Sequence, residues 1–367
     1  MEKEKKRILI ITNGTSGLYS FRRELLEELC KRHWVYVLAK PSGHGDQLKE
    51  IGCQIIPTDI DYHGTNPIKE LKLFSYYKAK MKELRPDVVL TYTIKPNIYG
   101  GMACASLKIP CIANITGLGN ALENTGLMQR ATLALYRQGL KKTAKVFFQN
   151  QTNMEYMVSR KIVSGSYALL PGSGVNLEQH CLEPYPSLGA SDPLVLTVMG
   201  RMIPEKGIRE ILSAAHRLQG ENIRIRLIGT CQDPILSEIR ALEPEDCISF
   251  LGFRDDPHEW YKTSHAVLHA SYHEGMSNVL LEAAACGRPV LATDVPGCRE
   301  TYTEGVSGFG FPPKDADAIV AAILRFRDLP YEKKREMGLM GRKHVEAQFD
   351  RQKIVNTYLN TITEIIQ

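Results

Sequence analysis

The chain has 367 residues, 43% hydrophobic and 24% charged, an ordinary globular composition whose length suits two domains. No apolar run approaches the roughly 18 residues that span a bilayer, and the charged start MEKEKKRILIIT argues against a signal peptide. The net charge is +5, and nine scattered cysteines without a C-x-x-C pair argue against a disulfide framework or zinc ribbon and fit a reducing cytosol.

The first half of the chain alternates predicted strands with predicted helices. Short apolar runs typical of buried parallel strands occupy residues 7–12, 35–40, 87–93, 111–116 and 145–150. Helical stretches lie between them, for example residues 20–32 and 66–84.

A turn-rich segment at 170–176 interrupts the alternation, which then resumes. Predicted strands follow at residues 194–200, 223–229, 248–252, 265–271 and 290–294. From Asp315 onward the pattern is helical only. The two successive runs of alternating strands and helices predict an α/β protein with two doubly wound, Rossmann-like domains facing each other across a cleft. The predicted domains are residues 1–170 and 171–349, with a last helix at about 350–367 packing back on the first domain.

The first predicted strand runs into Asn13-Gly14-Thr15-Ser16-Gly17, a turn before the first helix. Glycines at the carboxyl end of a strand let the backbone approach a phosphate or a sugar. The spacing is not G-x-G-x-x-G, so a dinucleotide site is weakly supported, and a plain tight turn is the alternative.

The corresponding turn of the second half is Gly200 to Gly207 and carries two cations, Arg201 and Lys206. Arginine can bind a phosphate with two parallel hydrogen bonds, and lysine acts as a point charge. We expect both to converge with a helix N-terminus on one anion. The alternative is a pair of solvated loop cations.

The most informative stretch is residues 273–283, HEGMSNVLLEA, which places Glu274 and Glu282 eight positions apart. The apolar run before it predicts a strand, and residues 277–286 predict a helix that Gly287 closes. Free N–H groups in the first turn of a helix favour an anion, above all phosphate. A phosphate site between two carboxylates is the layout that holds a sugar nucleotide.

Other motifs favour structural roles. Residues 59–61 and 315–317 both read D-x-D, but the first lies in a loop and the second opens a helix, where acidic residues favour the helix dipole. Histidines recur every four residues, yet the sequence around them favours a strand. We therefore expect His265 and His269 to pack in the core and His273 to line the pocket.

Two basic, amphipathic helices are predicted at residues 67–85 and 127–142. They belong to a half, residues 1–170, with 25 Lys and Arg against 14 Asp and Glu, whereas the rest carries 21 against 27. Such a basic half favours an anionic partner such as a phospholipid surface, a lipid diphosphate or nucleic acid. Solvated faces over a core are the alternative for the helices.

These features together resemble a family 4 glycosyltransferase of the GT-B fold, over essentially the whole chain. The residues that carry the resemblance are Arg201, Lys206, Glu274 and Glu282, with the turns at 14–17 and 171–176. The chain is most similar to the bacterial branch that builds capsule, O-antigen or donor oligosaccharides on a polyprenyl diphosphate. That similarity lies in GLYSF (17–21), PGSGVN (171–176), LGFRDD (251–256) and TDVPGCRE (293–300).

The resemblance implies specific contacts around a nucleotide-sugar donor. The residue matching Glu274 contacts the donor sugar near its reacting face, and the one matching Glu282 binds the ribose. Arg201 and Lys206 match residues on the diphosphate, and Gly17 matches one on the donor phosphate. Further donor contacts come from the segment after Glu274, here Gly275, Met276, Ser277, Asn278 and Val279. Members retain the anomeric configuration and generally need no bound metal or other cofactor.

One position departs from the family pattern. Many relatives carry a histidine next to the transferred sugar in the turn after the fourth strand, where this chain has Thr116. A general-base histidine is therefore absent at that position, and a front-face reaction, in which the leaving phosphate takes the acceptor proton, is compatible with the change. Thr116 can still hydrogen-bond the sugar, and Glu274 is the candidate catalytic residue.

The sequence thus predicts a retaining glycosyltransferase that moves a hexose or N-acetylhexosamine from a UDP-sugar to a polyprenyl-diphosphate-linked saccharide. We expect a cytoplasmic enzyme, peripheral at the anionic inner face of the plasma membrane, with no nucleic-acid partner and no metal. Two alternatives stay open: a sugar-nucleotide 2-epimerase of similar architecture, and a non-catalytic subunit that regulates a transferase.

Overall fold

The computed structural model describes residues 4–58, 66–118, 126–189, 191–242 and 247–367. The chain divides into an N-terminal unit, Met1–Ser173 with Gln352–Gln367, and a C-terminal unit, Gly174–Arg351. The division lies three residues beyond the boundary expected from the sequence, and the last helix groups with the first unit.

The N-terminal unit contains a parallel sheet of seven strands in the order β3-β2-β1-β4-β5-β6-β7. The strands are β1 Arg7–Gly14, β2 Trp34–Lys40, β3 Gln54–Pro57, β4 Val88–Tyr92, β5 Cys111–Ile115, β6 Lys145–Phe148 and β7 Tyr167–Leu169. The central strands β4 and β5 are buried along their whole length, as expected where helices cover both faces of a sheet.

The C-terminal unit contains a parallel sheet of six strands in the order β10-β9-β8-β11-β12-β13. The strands are β8 Leu194–Met199, β9 Ile223–Ile228, β10 Ile248–Gly252, β11 Ala266–His269, β12 Val290–Thr293 and β13 Gly308–Phe311. The strand order reverses between β8 and β11. Ligands of doubly wound folds bind at the carboxyl ends of strands at such a switch point.

Helices connect the strands of both sheets. They are α1 Thr15–Arg32, α2 Gly45–Ile51, α3 Pro67–Leu84, α4 Gly101–Leu107 after a π-helical turn Pro96–Gly100, α5 Leu127–Leu140, α6 Gln151–Ser159, α7 Ile208–Arg217, α8 Ile235–Leu242, α9 Pro257–Lys262, α10 Asn278–Ala285, α11 Ala316–Arg327, α12 Tyr331–Gln348 and α13 Arg351–Ile366. Within the described ranges, none of these helices has both the length and the apolarity needed to cross a membrane.

The last helix, α13, is part of the N-terminal core. Ile354, Val355 and Ile362 are buried in the same apolar cluster as the strands β1, β2 and β4. Tyr358 is also buried and donates its hydroxyl hydrogen to Asn114 Oδ1 at 2.5 Å. The final helix thus packs within the N-terminal unit.

The ten strands predicted from apolar runs are confirmed, with ends within two residues of the expected ones. Of the three further strands, β3 lies where the sequence indicates only a weak strand before residue 59, and β7 and β13 were missed. The predicted start of the first helix was wrong, because α1 begins at Thr15 directly after β1, and the supposed turn is partly helical. No side chain caps the N-terminus of this helix. The hydroxyl group of Thr15 instead donates to Gly43 O at 2.6 Å, and a contact between residues 28 positions apart cannot be predicted from the local sequence.

Candidate functional site

The loop after β8 packs against the loop after β11 and is hydrogen-bonded to it, at the switch point of the C-terminal sheet. The N–H of Tyr272 donates to Glu205 O at 2.9 Å. Gly207 has φ +68°, and a Cβ at this position would lie 2.2 Å from Ala270 O. Only glycine allows so close an approach. This packing brings the side chain of Lys206 to the segment that carries Glu274.

Lys206, His269 and Glu274 form one polar cluster. Lys206 Nζ lies 2.5 Å from Glu274 Oε1, and His269 Nε2 lies 3.0 Å from the same oxygen. The Glu274 and His269 side chains are only 15% and 7% exposed, whereas that of Lys206 is 28% exposed. Ser277 Oγ lies 3.2 Å from His269 Nε2. The cluster therefore holds the carboxylate in place while the lysine remains accessible to a ligand.

The ionisation of Glu274 is set by its surroundings. Burial raises the pKa of the carboxyl group, but the hydrogen bond and charge of His269 and the charge of Lys206 outweigh burial and leave the pKa at about 2. Glu274 is therefore an anion at neutral pH. A group in this state can stabilise positive charge or orient a sugar hydroxyl, and it cannot serve as a proton donor.

The N-terminus of α10 lies directly after Glu274. Its first-turn N–H groups have no partner within the helix, as in any α-helix. Ser277 precedes the helix, and its own N–H donates to Gly297 O at 2.8 Å. The amide of Ser277 is therefore already engaged and is not available to a ligand. Gly297 has φ +85°, and a Cβ there would lie 2.7 Å from Glu274 O. Only glycine therefore fits at this position without moving the backbone of Glu274.

Glu282 occupies a different environment from Glu274. Tyr261 donates its hydroxyl hydrogen to Glu282 Oε2 at 3.0 Å. Burial raises the pKa of Glu282 to about 7, although the hydrogen bond of Tyr261 and the charge of Arg351 act in the opposite direction. The two carboxylates of the motif thus differ: one stays ionised and the other changes charge near neutral pH.

Other predicted residues of the C-terminal unit lie around this cluster. A small cavity is lined by Arg201, Lys206 and His269 together with the end of β8. Arg201 is exposed, and among the described residues its guanidinium forms no hydrogen bond or ion pair. His273 is exposed as well. Met276 is buried in a core cluster, so only its backbone can face a ligand.

Two predicted residues belong to the N-terminal unit. Gly17 lies in the first turn of α1, where a Cβ would meet open space. Thr116 follows β5 and is half-buried.

His269 was missed as a site residue, because its expected role was packing. It is buried, but its ring nitrogen contacts Glu274. The signal in the sequence was its position near the carboxyl end of a predicted strand, at the edge of the sheet where ligands bind. His265 does pack in the core and accepts a hydrogen bond from Val195 N–H at 2.9 Å.

The two D-x-D motifs have separate outcomes. Asp315 caps α11 by accepting from Ala318 N–H at 2.9 Å, which is the structural role that the sequence favoured. The motif at 59–61 lies outside the described residues.

Comparison with known proteins identifies two glycosyltransferase domains. Residues 7–150 match the family described as "Glycosyl transferase 4-like", and residues 186–344 match "Glycosyl transferases group 1". A Campylobacter jejuni protein named N,N'-diacetylbacillosaminyl-diphospho-undecaprenol alpha-1,3-N-acetylgalactosaminyltransferase is 24% identical, covering 98% of this chain and 99% of the relative. The Staphylococcus aureus capsular polysaccharide biosynthesis glycosyltransferase CapM is 25% identical, over 85% of each.

Solved structures share the fold along the whole chain. Sucrose-phosphate synthase from Thermosynechococcus elongatus has a TM-score of 0.79 at 21% identity, covering 98% of this chain and 99% of that one. HepE from Anabaena in complex with UDP has a TM-score of 0.77 at 18% identity, covering 98% and 100%. These structures show the GT-B fold, and the two family models, which together match residues 7–150 and 186–344, show that the chain belongs to the family 4 glycosyltransferases.

Proposed function

We propose that this glycosyltransferase moves a hexose or N-acetylhexosamine from a UDP-sugar to a saccharide on polyprenyl diphosphate, with retention of the anomeric configuration. The observation that carries the proposal is the cluster of Lys206, His269 and Glu274 beside the N-terminus of α10. Two similar proteins support the proposal: the Campylobacter jejuni enzyme is named for an undecaprenyl-diphospho acceptor, and the HepE structure contains UDP. The pathway would be bacterial surface polysaccharide or glycan synthesis.

The charges of the cluster fit the departure of a nucleoside diphosphate. Breaking the bond to the sugar develops negative charge on the diphosphate and positive charge on the sugar ring. Lys206, Arg201 and the first-turn N–H groups of α10 would stabilise the former, and Glu274 the latter. Because cations of the protein occupy this side of the donor, we propose that the transfer needs no metal at the diphosphate.

His269 would act through Glu274 as a positioning residue. Its ring nitrogen lies 3.0 Å from the same oxygen that binds Lys206. When a donor diphosphate draws Lys206 towards itself, His269 still holds the carboxylate against the sugar.

The remaining donor contacts are proposals of the same kind. Glu282 would bind the ribose, Gly17 the donor phosphate, and Thr116 and His273 the sugar. The C-terminal unit would bind the donor and the N-terminal unit the acceptor. With threonine in place of histidine at 116, the leaving phosphate would accept the proton of the attacking hydroxyl group.

Transfer can be measured with the purified chain, a panel of UDP-sugars and polyprenyl-diphosphate-linked acceptors. We expect Glu274→Gln to lower kcat by about 10²–10³, the cost of removing one preorganised electrostatic group. Glu259→Gln is the control, because it removes a carboxylate that is 59% exposed on α9. Full activity of a folded Glu274→Gln variant would refute the site. A sugar changed without acceptor would instead indicate an epimerase.

We also propose that the N-terminal unit docks on the anionic inner face of the plasma membrane, which would make the enzyme cytoplasmic and peripheral. At the start of α3, Ile68 and Leu71 are 68% and 66% exposed, and at the start of α5 Leu127 and Met128 are 83% and 49% exposed. Apolar side chains on basic helices are typical of interfacial binding.

Flotation with anionic vesicles tests this docking. Leu71→Ser with Leu127→Ser should reduce the floated fraction. Phe253→Ser removes an equally exposed apolar side chain (63%) from the C-terminal unit and should not. Equal losses from both variants, or no flotation of the unaltered protein, would refute the proposal.

A further inference from the structure

A second group of reactive side chains lies at the C-terminal end of α10. Cys181, Glu183 and His258 bring a thiol, a carboxylate and an imidazole together. Cys181 Sγ lies 3.5 Å from Glu183 Oε1 and 3.8 Å from His258 Nε2, and these last two atoms are 2.8 Å apart. Cys286, which follows the last residue of α10, contacts the other ring nitrogen of His258. The eight residues of α10 separate this group by about 12 Å from the helix start that faces the proposed donor.

We propose that Cys181 Sγ, Glu183 Oε1 and His258 Nε2 bind Zn²⁺, with solvent as the fourth ligand. Typical zinc–ligand lengths in tetrahedral geometry require about 3.6 Å from the sulfur to the oxygen or nitrogen, and about 3.4 Å from oxygen to nitrogen. Two of the three observed separations lie within about 0.2 Å of these values. The third is a hydrogen bond that opens by about 0.6 Å when a cation replaces its proton.

The ligands are held by contacts that do not depend on a metal. Asp256 Oδ1 caps α9 by accepting from His258 N–H at 3.0 Å. The buried Arg288 donates to Tyr261 O on α9 at 2.8 Å and to Pro184 O, beside Glu183, at 2.7 Å. Arg288 therefore links α9, which carries His258, to the segment that carries Glu183. These two ligands are held near each other before an ion binds.

The orientation of the imidazole suits a metal ligand. Its Nδ1 lies 3.3 Å from Cys286 Sγ, which leaves Nε2 to face Cys181 and Glu183. A zinc-bound histidine normally uses its second nitrogen to hydrogen-bond a neighbouring group, and this fixes the ring.

A second possible set, His180, His258 and Cys286, shares the same imidazole. His180 and Cys286 are buried, whereas Cys181 is exposed. An ion from solvent therefore has a direct path to the set with Cys181. The nearby cation Lys262 lies 3.8 Å from Glu183 Oε1 but only 2.6 Å from Glu259 Oε1, and this exposed partner can hold the lysine away.

Zinc affinity of the full chain, stripped with a chelator, can be measured by competition with a chromophoric chelator. We expect one Zn²⁺ per chain. Cys181→Ser and Glu183→Gln should each weaken binding by at least about tenfold, since even outer-shell groups contribute 10–100-fold. Glu178→Gln removes the same charge from an exposed position three residues before Cys181, outside both possible ligand sets, and should keep the affinity of the unaltered protein. Co²⁺ should give a thiolate charge-transfer band that Cys181→Ser abolishes.

Several results would overturn the assignment. These are no zinc binding by the unaltered protein, equal losses from Glu183→Gln and Glu178→Gln, or full affinity in Cys181→Ser. Full affinity in Cys181→Ser together with loss in Cys286→Ser would move the ion to the buried set. Because each result is a binding measurement, it stands apart from the success or failure of the proposed transferase reaction.

Discussion

The substitution Glu282→Gln keeps the size of the side chain and removes a carboxyl group whose pKa burial raises to about 7, from an ordinary 4.5. Because the folded state binds this proton more tightly than the unfolded chain, the group stabilises the fold at low pH. That stabilisation is lost as the pH rises through about 7, where the buried carboxyl must ionise. The free energy of unfolding of Glu282→Gln, relative to that of the unaltered protein, should therefore be highest in alkaline solution.

The size of the effect follows from the two pKa values. With 7 in the folded state and 4.5 in the unfolded state, the proton of Glu282 contributes about 2.5 kcal/mol at pH 5 and almost nothing at pH 8. The free energy of unfolding of Glu282→Gln, minus that of the unaltered protein, should thus rise by about 2.5 kcal/mol between pH 5 and pH 8.

Urea unfolding at a series of pH values measures this difference. The chain has two tryptophans, and a Trp34→Phe background leaves Trp260, on α9 beside Tyr261, to report on the C-terminal unit. Glu259→Gln in the same background is the control for losing one negative charge. A stability difference that stays constant from pH 5 to pH 8 would show that the Glu282 carboxyl has an ordinary pKa, and the reasoning would fail.

Three further predictions concern the donor site. Lys206→Met should lower kcat by about 10²–10³, and it should also lower the melting temperature because His269 alone then pairs the Glu274 carboxylate. Transfer assays on the folded variant that find a smaller loss of kcat would argue against a role of Lys206 at the diphosphate. Gly297→Ala places a Cβ 2.7 Å from Glu274 O and should lower both the melting temperature and kcat; Gly220→Ala, with a similar φ but nothing within 4 Å, controls for backbone strain alone. The kcat/KM for the donor should fall as the pH decreases through about 7, because Glu282 gains a proton and binds the ribose less well, and Glu282→Gln should remove this limb of the profile.

The sequence predicted those features that repeat along the chain or depend on residue type. Buried parallel strands give continuous apolar runs, so both sheets could be recognised, whereas β7 has three residues and β13 is half glycine. Glu274 and Lys206 were identified as site residues from their charge and their place after strands. Their direct contact was not, because 68 residues separate them and the packing of Gly207 on β11 brings them together.

The role of His269 could not be predicted for a related reason. A histidine within an apolar run satisfies the same pattern whether its ring packs in the core or contacts a carboxylate. His265 directly precedes β11 and His269 is its last residue: the first accepts a hydrogen bond from a backbone N–H, and the second contacts Glu274. The proposed zinc ligands pose the same difficulty, because Glu183 and His258 are 75 positions apart in the sequence and neither lies in a metal-binding motif.

In the proposed reaction, Lys206 would contact two anions in turn, the Glu274 carboxylate and the donor diphosphate. In the protein alone, a carboxylate that is only 15% exposed must be paired to stay ionised, and Lys206 and His269 provide that pairing. A bound diphosphate would offer Lys206 a second anion in the same place. The carboxylate then loses part of its compensation just as the sugar above it begins to gain positive charge. The electrostatic attraction of Glu274 for the donor sugar would therefore be strongest when the diphosphate is engaged, which couples donor binding to stabilisation of the departing sugar.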